Sequence, residues 1–157
     1  IIWSGSTRDK TSVFEEAFAR SLPLGCPGLE VVAIANSGHK MPILSMLELH
    51  NMEFGCEGLG GSNPLPDPVI VTNVGRSNGL GPMLAANSMI PVISTVPDPV
   101  DVNSSLRMPS EVPLMVVTDP KLAVLAALRI LAGRNPALHA LLRLEQEKRA
   151  INVIPID

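Results

Sequence analysis

The sequence has only two cysteines, Cys26 and Cys56, too few for a disulfide framework and not at metal-ligating spacing, which reads as a pair of reduced thiols in a cytoplasmic protein. Charge is also scarce. Charged residues make up 17% of the chain and the formal net charge is −3, so nothing draws it generally to nucleic acid or to an anionic membrane, and no block of like charge reads as an interaction tail. No apolar run reaches the roughly 18 residues a membrane span needs, and no basic segment precedes the apolar opening at Ile1. An initiator methionine is absent as well, from which we expect residues before Ile1 and a place for this chain within a longer polypeptide. Neither a Walker loop nor GxGxxG occurs, which removes support for ATP and dinucleotide cofactors.

Apolar side chains are plentiful. At 46% hydrophobic over 157 residues, the chain can fill the core of one compact domain. Short β-branched runs alternate with segments of helical spacing. "IIWS" (1–4), "LEVVAIA" (29–35), "VIVTNV" (69–74), "IPVIST" (90–95) and "PLMVVT" (113–118) read as strands. Helices are expected from Lys10 to Arg20 with Asp9 as N-cap, from Ile43 onward, from near Pro82, briefly around Ser105, over 121–132 behind Asp119 and Pro120 with Gly133 as its stop, and over 136–149. Residues 55–68, rich in glycine and proline, read as an irregular connection. Parallel neighbours require right-handed crossovers, so this alternation predicts a doubly wound, three-layer α/β/α parallel sheet of about five strands. The helix at 121–132 is almost wholly apolar, and it or the last helix is expected to meet another subunit.

In such a sheet, ligands gather beyond the carboxyl ends of the strands, where three polar turns converge. The first turn offers Ser6, Thr7 and Asp9 beside a helix N-terminus, a setting for phosphate or sugar hydroxyls and equally for an ordinary cap. "SGHK" (37–40) sets Ser37 and Lys40 on either side of His39, a side chain that exchanges protons near neutral pH. A histidine and lysine in a loop can also be plain solvated surface. His50 and His139 lie on predicted helices without acidic or cysteine partners and read as non-functional. The third turn, "VGRSNGLGP" (74–82), spaces Gly75, Gly79 and Gly81 around polar side chains, more glycine than a surface turn requires.

"GRSNGLGP", with "GST-D" near the start, "S-HK" in the second turn and "SSLRMPS" (104–110) in the late loop, resembles the aminoimidazole ribonucleotide (AIR) carboxylase family of purine biosynthesis. The resemblance runs over about residues 1–133. It is closest to the class II form that uses carbon dioxide directly, found in animals fused to a succinocarboxamide (SAICAR) synthetase. It implies a flavodoxin-like fold, a homo-oligomer with octameric habit, and no metal or organic cofactor. It also implies reversible carboxylation of AIR, with His39 as general acid/base. Ser37 and Lys40 would hold the phosphate, Ser6 and Asp9 the ribose end, and Ser77, Asn78 and the Gly79 backbone the carbon dioxide or carboxylate, with Arg76 and Arg107 also among the substrate-binding residues.

Against the family pattern, Arg8 stands for a serine, Gly38 for an alanine, Asn73 for an apolar residue and Glu111 for a glycine. The stretch from Pro97 to Asn103 is shorter than the family's loop, and the 55–68 insert is longer. Two other readings accompany the enzyme: a non-catalytic phosphoribosyl-binding or scaffold domain of the same fold, and a flavodoxin-like nucleotide-binding switch.

Overall fold

A computed structural model describes residues 1–5, 12–35, 37–54, 67–74, 77–96 and 98–152. Five strands, β1 (Ile2–Gly5), β2 (Val32–Ala35), β3 (Ile70–Asn73), β4 (Val92–Thr95) and β5 (Met115–Val116), alternate with six helices: α1 (Ser12–Ser21), α2 (Pro42–Phe54), α3 (Leu80–Ala86), α4 (Asn103–Leu106), α5 (Pro120–Ala132) and α6 (Pro136–Ile151). The strands form one parallel sheet in the order β2-β1-β3-β4-β5, the flavodoxin-like arrangement expected from the alternation and the resemblance.

Side chains on successive strand residues point to opposite faces, and both faces are covered. Trp3, Val71 and Ile93 pack toward α1, α5 and α6, meeting Phe14, Ala17, Ala123, Val124, Ala127, Leu128 and Leu138. Ile2, Ile70 and Val92 point the other way, onto Leu49 of α2 and Leu80, Leu84 and Ala85 of α3. Each large side chain buried in these layers contributes about 1.5–3 kcal/mol of transfer free energy.

The carboxyl halves of the inner strands are polar yet buried. Ser4, Thr72, Ser94 and Thr95 are all shielded from water, with a Thr72–Ser94 hydroxyl pair at 2.6 Å. Asn73 does not stand there as an uncompensated amide. Its Oδ1 shares the Thr95 hydroxyl proton, at 3.2 Å, with the Thr72 carbonyl at 3.1 Å, which offsets part of the desolvation of this half-buried amide.

The later helices start where capping chemistry indicates. Asp119 accepts from the Lys121 N–H at 2.8 Å ahead of Pro120, and Asn135 accepts from the Leu138 N–H at 3.0 Å ahead of Pro136. At the end of α5, Gly133 keeps right-handed backbone angles (φ −60°). The stop is a tightening to i→i−3 bonds, Gly133 N–H to Ile130 and Arg134 N–H to Leu131, before Pro136. α3 begins at Leu80, two residues earlier than Pro82 suggests, because a proline within the first turn removes an N–H that has no helical partner.

The apolar surface of α5 is mostly satisfied within the chain, since Ala123, Val124, Ala127 and Leu128 are fully buried. The larger uncovered apolar face lies elsewhere. α2 exposes Ile43 (76%) and Phe54 (65%) beside half-exposed Leu44 and Leu47, and the edge strand β2 leaves Val32 partly open.

Candidate functional site

The second and third polar turns leave the carboxyl ends of β2 and β3. These strands flank β1, so the turns meet across the carboxyl end of β1. The first turn, with Ser6, Arg8 and Asp9, lies outside the described residues, as does Arg76.

In the second turn, the Ser37 hydroxyl accepts the Lys40 N–H at 3.3 Å and the Ser37 carbonyl accepts the Met41 N–H at 2.9 Å. This self-bonded turn presents His39 and Lys40 to solvent, and among the described residues the Ser37 hydroxyl serves as an acceptor. The His39 ring rests on the third turn. A Cβ added to Gly79 would fall 2.4 Å from His39 Cε1 and 2.7 Å from each ring nitrogen, so only glycine allows this approach. Gly38 is equally close from the other side, since a Cβ there would lie 2.7 Å from Leu80 Cα and 2.8 Å from the Gly79 carbonyl.

The third turn is held from the late loop. Asn78 is buried; its backbone N–H donates to the Ser104 hydroxyl at 2.9 Å and its Nδ2 donates to the Ser105 hydroxyl at 2.8 Å. The Asn78 Oδ1 accepts the Gly81 N–H at 3.0 Å, capping the first turn of α3. Ser77, just before it, is exposed at φ +21°. Gly81 is pressed onto β4, where an added Cβ would lie 2.0 Å from the Ser94 hydroxyl oxygen.

The structure therefore brings His39 of the second turn, which also carries Ser37 and Lys40, against Gly79 of the third, which also carries Ser77 and Asn78. Arg107 sits exposed at the C-terminal end of α4, in the same late loop as Ser104 and Ser105. Ser104 and Ser105, which open the "SSLRMPS" motif, are additions to the expected site residues. Their partner is 26 and 27 positions away, and a serine pair in a polar loop carries no local sign of it. Glu111 is exposed at φ +66°, a left-handed conformation that glycine adopts without steric cost.

Residues 63–151, more than half of the chain, match the sequence model of AIR carboxylase. The chain belongs to the AIR carboxylase family. Among relatives, it is 31% identical to the phosphoribosylaminoimidazole carboxylase of Archaeoglobus fulgidus over 137 residues, covering 83% of this chain and 69% of that protein. It is 43% identical over 89 residues to a probable multifunctional protein ADE2 of Caenorhabditis elegans, covering 54% of this chain. The match spans 21% of the nematode protein's length, and this chain likewise aligns with 29% of a bifunctional carboxylase/succinocarboxamide synthetase of Drosophila melanogaster, at 32% identity. The crystal structure of Treponema denticola PurE superposes with a TM-score of 0.75 at 24% identity, over 97% of this chain and 92% of that one, which supports the fold. An AIR carboxylase family member is thus built here with a histidine seated on the glycine of a neighbouring turn.

Proposed function

We propose that the chain catalyses the reversible carboxylation of AIR by carbon dioxide in purine biosynthesis, with His39 moving the proton. The observation that carries this reading is the imidazole of His39 lying on Gly79 where two strand-end turns meet, in a chain of the AIR carboxylase family. The electron-rich C4 of the aminoimidazole attacks the carbon of carbon dioxide and forms the new C–C bond. The ring carbon becomes tetrahedral, bearing both the carboxylate and a hydrogen. His39 accepts that proton, the C–H electron pair returns to the ring, and 4-carboxy-AIR results. In reverse, His39 donates the proton to C4 and carbon dioxide departs with the C–C bond cleaved.

Lys40 and the Ser37 hydroxyl hold the phosphate, a role supported by an exposed lysine and a hydroxyl on the same turn as His39. Ser77 and the Gly79 backbone face the carboxylate, where N–H groups of a glycine turn act as oxyanion donors; Asn78, which the resemblance assigns to the same side, is buried with its N–H, Nδ2 and Oδ1 bonded within the protein and serves the site by holding this turn. Ser6, Asp9, Arg76 and Arg107 complete the set on the strength of the resemblance.

The proposal includes self-association in the cytoplasm, supported by the uncovered apolar face of α2. It also includes a synthetase domain on the same polypeptide, supported by the name of the fly relative.

The test is decarboxylation of 4-carboxy-AIR by the purified chain and by His39→Asn. Removing a general acid/base lowers the rate by about 10²–10⁴-fold. Equal rates in the two proteins, at the level of the uncatalysed reaction, would leave the non-catalytic reading in its place.

A further inference from the structure

We propose that Ser105, assisted by Ser104, is a positioning residue: through Asn78 it holds Gly79 at the place where the His39 ring rests. The inference rests on the catalytic role given to His39 above.

A turn containing glycines at 75, 79 and 81 has many accessible conformations and does not define its own shape. The conformation seen is set by hydrogen bonds that start on one residue. Three groups of Asn78 are engaged, two of them by the late loop: N–H to Ser104 Oγ, Nδ2 to Ser105 Oγ, and Oδ1 from the Gly81 N–H. Ser104 is itself tied down, its hydroxyl donating to the Asp101 carbonyl at 2.7 Å, and Ser105 is almost fully buried at 1% exposure. The bonds therefore run from the 101–105 segment into the third turn. Gly79 follows Asn78 directly, and it is the wall against which an otherwise exposed imidazole is placed.

Removing the Ser105 hydroxyl leaves the Nδ2 of a buried amide without this acceptor, so that the carboxamide is held only through its Oδ1, at Gly81, and the turn loses its side-chain tie to Ser105. Gly79 then shifts relative to His39, while Ser37 and Lys40, which belong to the other turn, keep their places. The expected signature is a loss in kcat with little change in KM.

The experiment compares wild type, Ser105→Ala, Asn78→Ala, the double variant and, as a control remote from the site, Ser88→Ala. Decarboxylation of 4-carboxy-AIR is measured together with the histidine ring resonances by NMR, His39 being assigned through His39→Asn. Misplacement on the ångström scale lowers kcat of Ser105→Ala by at least about 10-fold. Its KM stays within about 2-fold of wild type, as for a contact made in the transition state. The double variant is no slower than Asn78→Ala alone, because the two side chains act as one unit. The His39 ring resonance moves in Ser105→Ala and not in Ser88→Ala, and Ser104→Ala moves it in the same direction. A Ser105→Ala protein with an unmoved His39 resonance overturns the inference whether or not the wild type turns over. So do losses that multiply in the double variant. An inactive wild type whose His39 resonance still responds to Ser105→Ala overturns the catalytic reading and leaves the positioning contact standing.

Discussion

The His39 imidazole and the Cα of Gly79 share a space that a single methyl group would overfill, with Cε1 only 2.4 Å from where that methyl would sit. The two residues come from different turns, 40 positions apart in number, so their contact couples the placement of the imidazole, the proposed proton carrier, to the fold of the third turn.

Gly79→Ala tests this contact directly. Gly79 has φ −94°, which alanine adopts without strain, so the substitution leaves the backbone alone and pushes the exposed imidazole aside. With His39 in its proposed role, decarboxylation should fall by about 10²-fold, the cost of misplacing a catalytic group. The melting temperature should stay close to wild type.

Gly38→Ala behaves differently, because its Cβ would meet backbone atoms of Gly79 and Leu80 at 2.7–2.8 Å and no rotamer change relieves that. The two turns must separate. We expect a loss of about 1–3 kcal/mol in stability, typical of overpacking, together with reduced turnover. Chemical denaturation and the decarboxylation assay read the two effects.

Glu111→Gly should stabilise the chain. A side chain at φ +66° bears about 1–2 kcal/mol of steric cost, partly offset by the about 0.5–1 kcal/mol of extra backbone entropy that glycine loses on folding. A small rise in unfolding free energy is the expected outcome, and a fall would show that the glutamate side chain makes a compensating contact.

Thr72 and Ser94 form a buried hydroxyl pair beneath the site. Ser94→Ala strands the Thr72 hydroxyl and should cost about 1–3 kcal/mol. Combining it with Thr72→Val removes the orphan, so the double variant should be more stable than the sum of the two single changes, as measured by a double-mutant cycle.

Ile43→Lys and Leu47→Lys place charge on the uncovered face of α2. If that face joins copies of the chain, each variant sediments as a smaller species than wild type at equal concentration, with the monomer's melting behaviour preserved.

Much of the fold was legible because its signals are local. β-branched runs such as "VIVTNV", the Asp119–Pro120 pair and the apolar spacing of α5 each encode an element within a few residues. The edge strands were less so: "LEVVAIA" and "PLMVVT" narrow to Val32–Ala35 and Met115–Val116, since an apolar run indicates strand tendency while a partner on one side alone limits how much of it pairs. Within the site, the convergence of turns two and three followed from strand order. The bonds from Asn78 to Ser104 and Ser105 did not, because a side chain that crosses to a distant loop leaves no periodicity behind. Asn73 looked costly in isolation for the same reason, its Thr95 donor being on the next strand.

The single tryptophan, in a chain without tyrosine, is stacked on Phe14 with ring centroids 4.8 Å apart and is 2% exposed. Its indole N–H meets no acceptor among the described residues. Ultraviolet emission from this protein therefore originates at one dry place, between β1 and the first helix. A blue-shifted signal marks that helix as docked, and a red shift on titrating denaturant reports its release, so the fluorescence of Trp3 follows the helix next to the first turn without any added label.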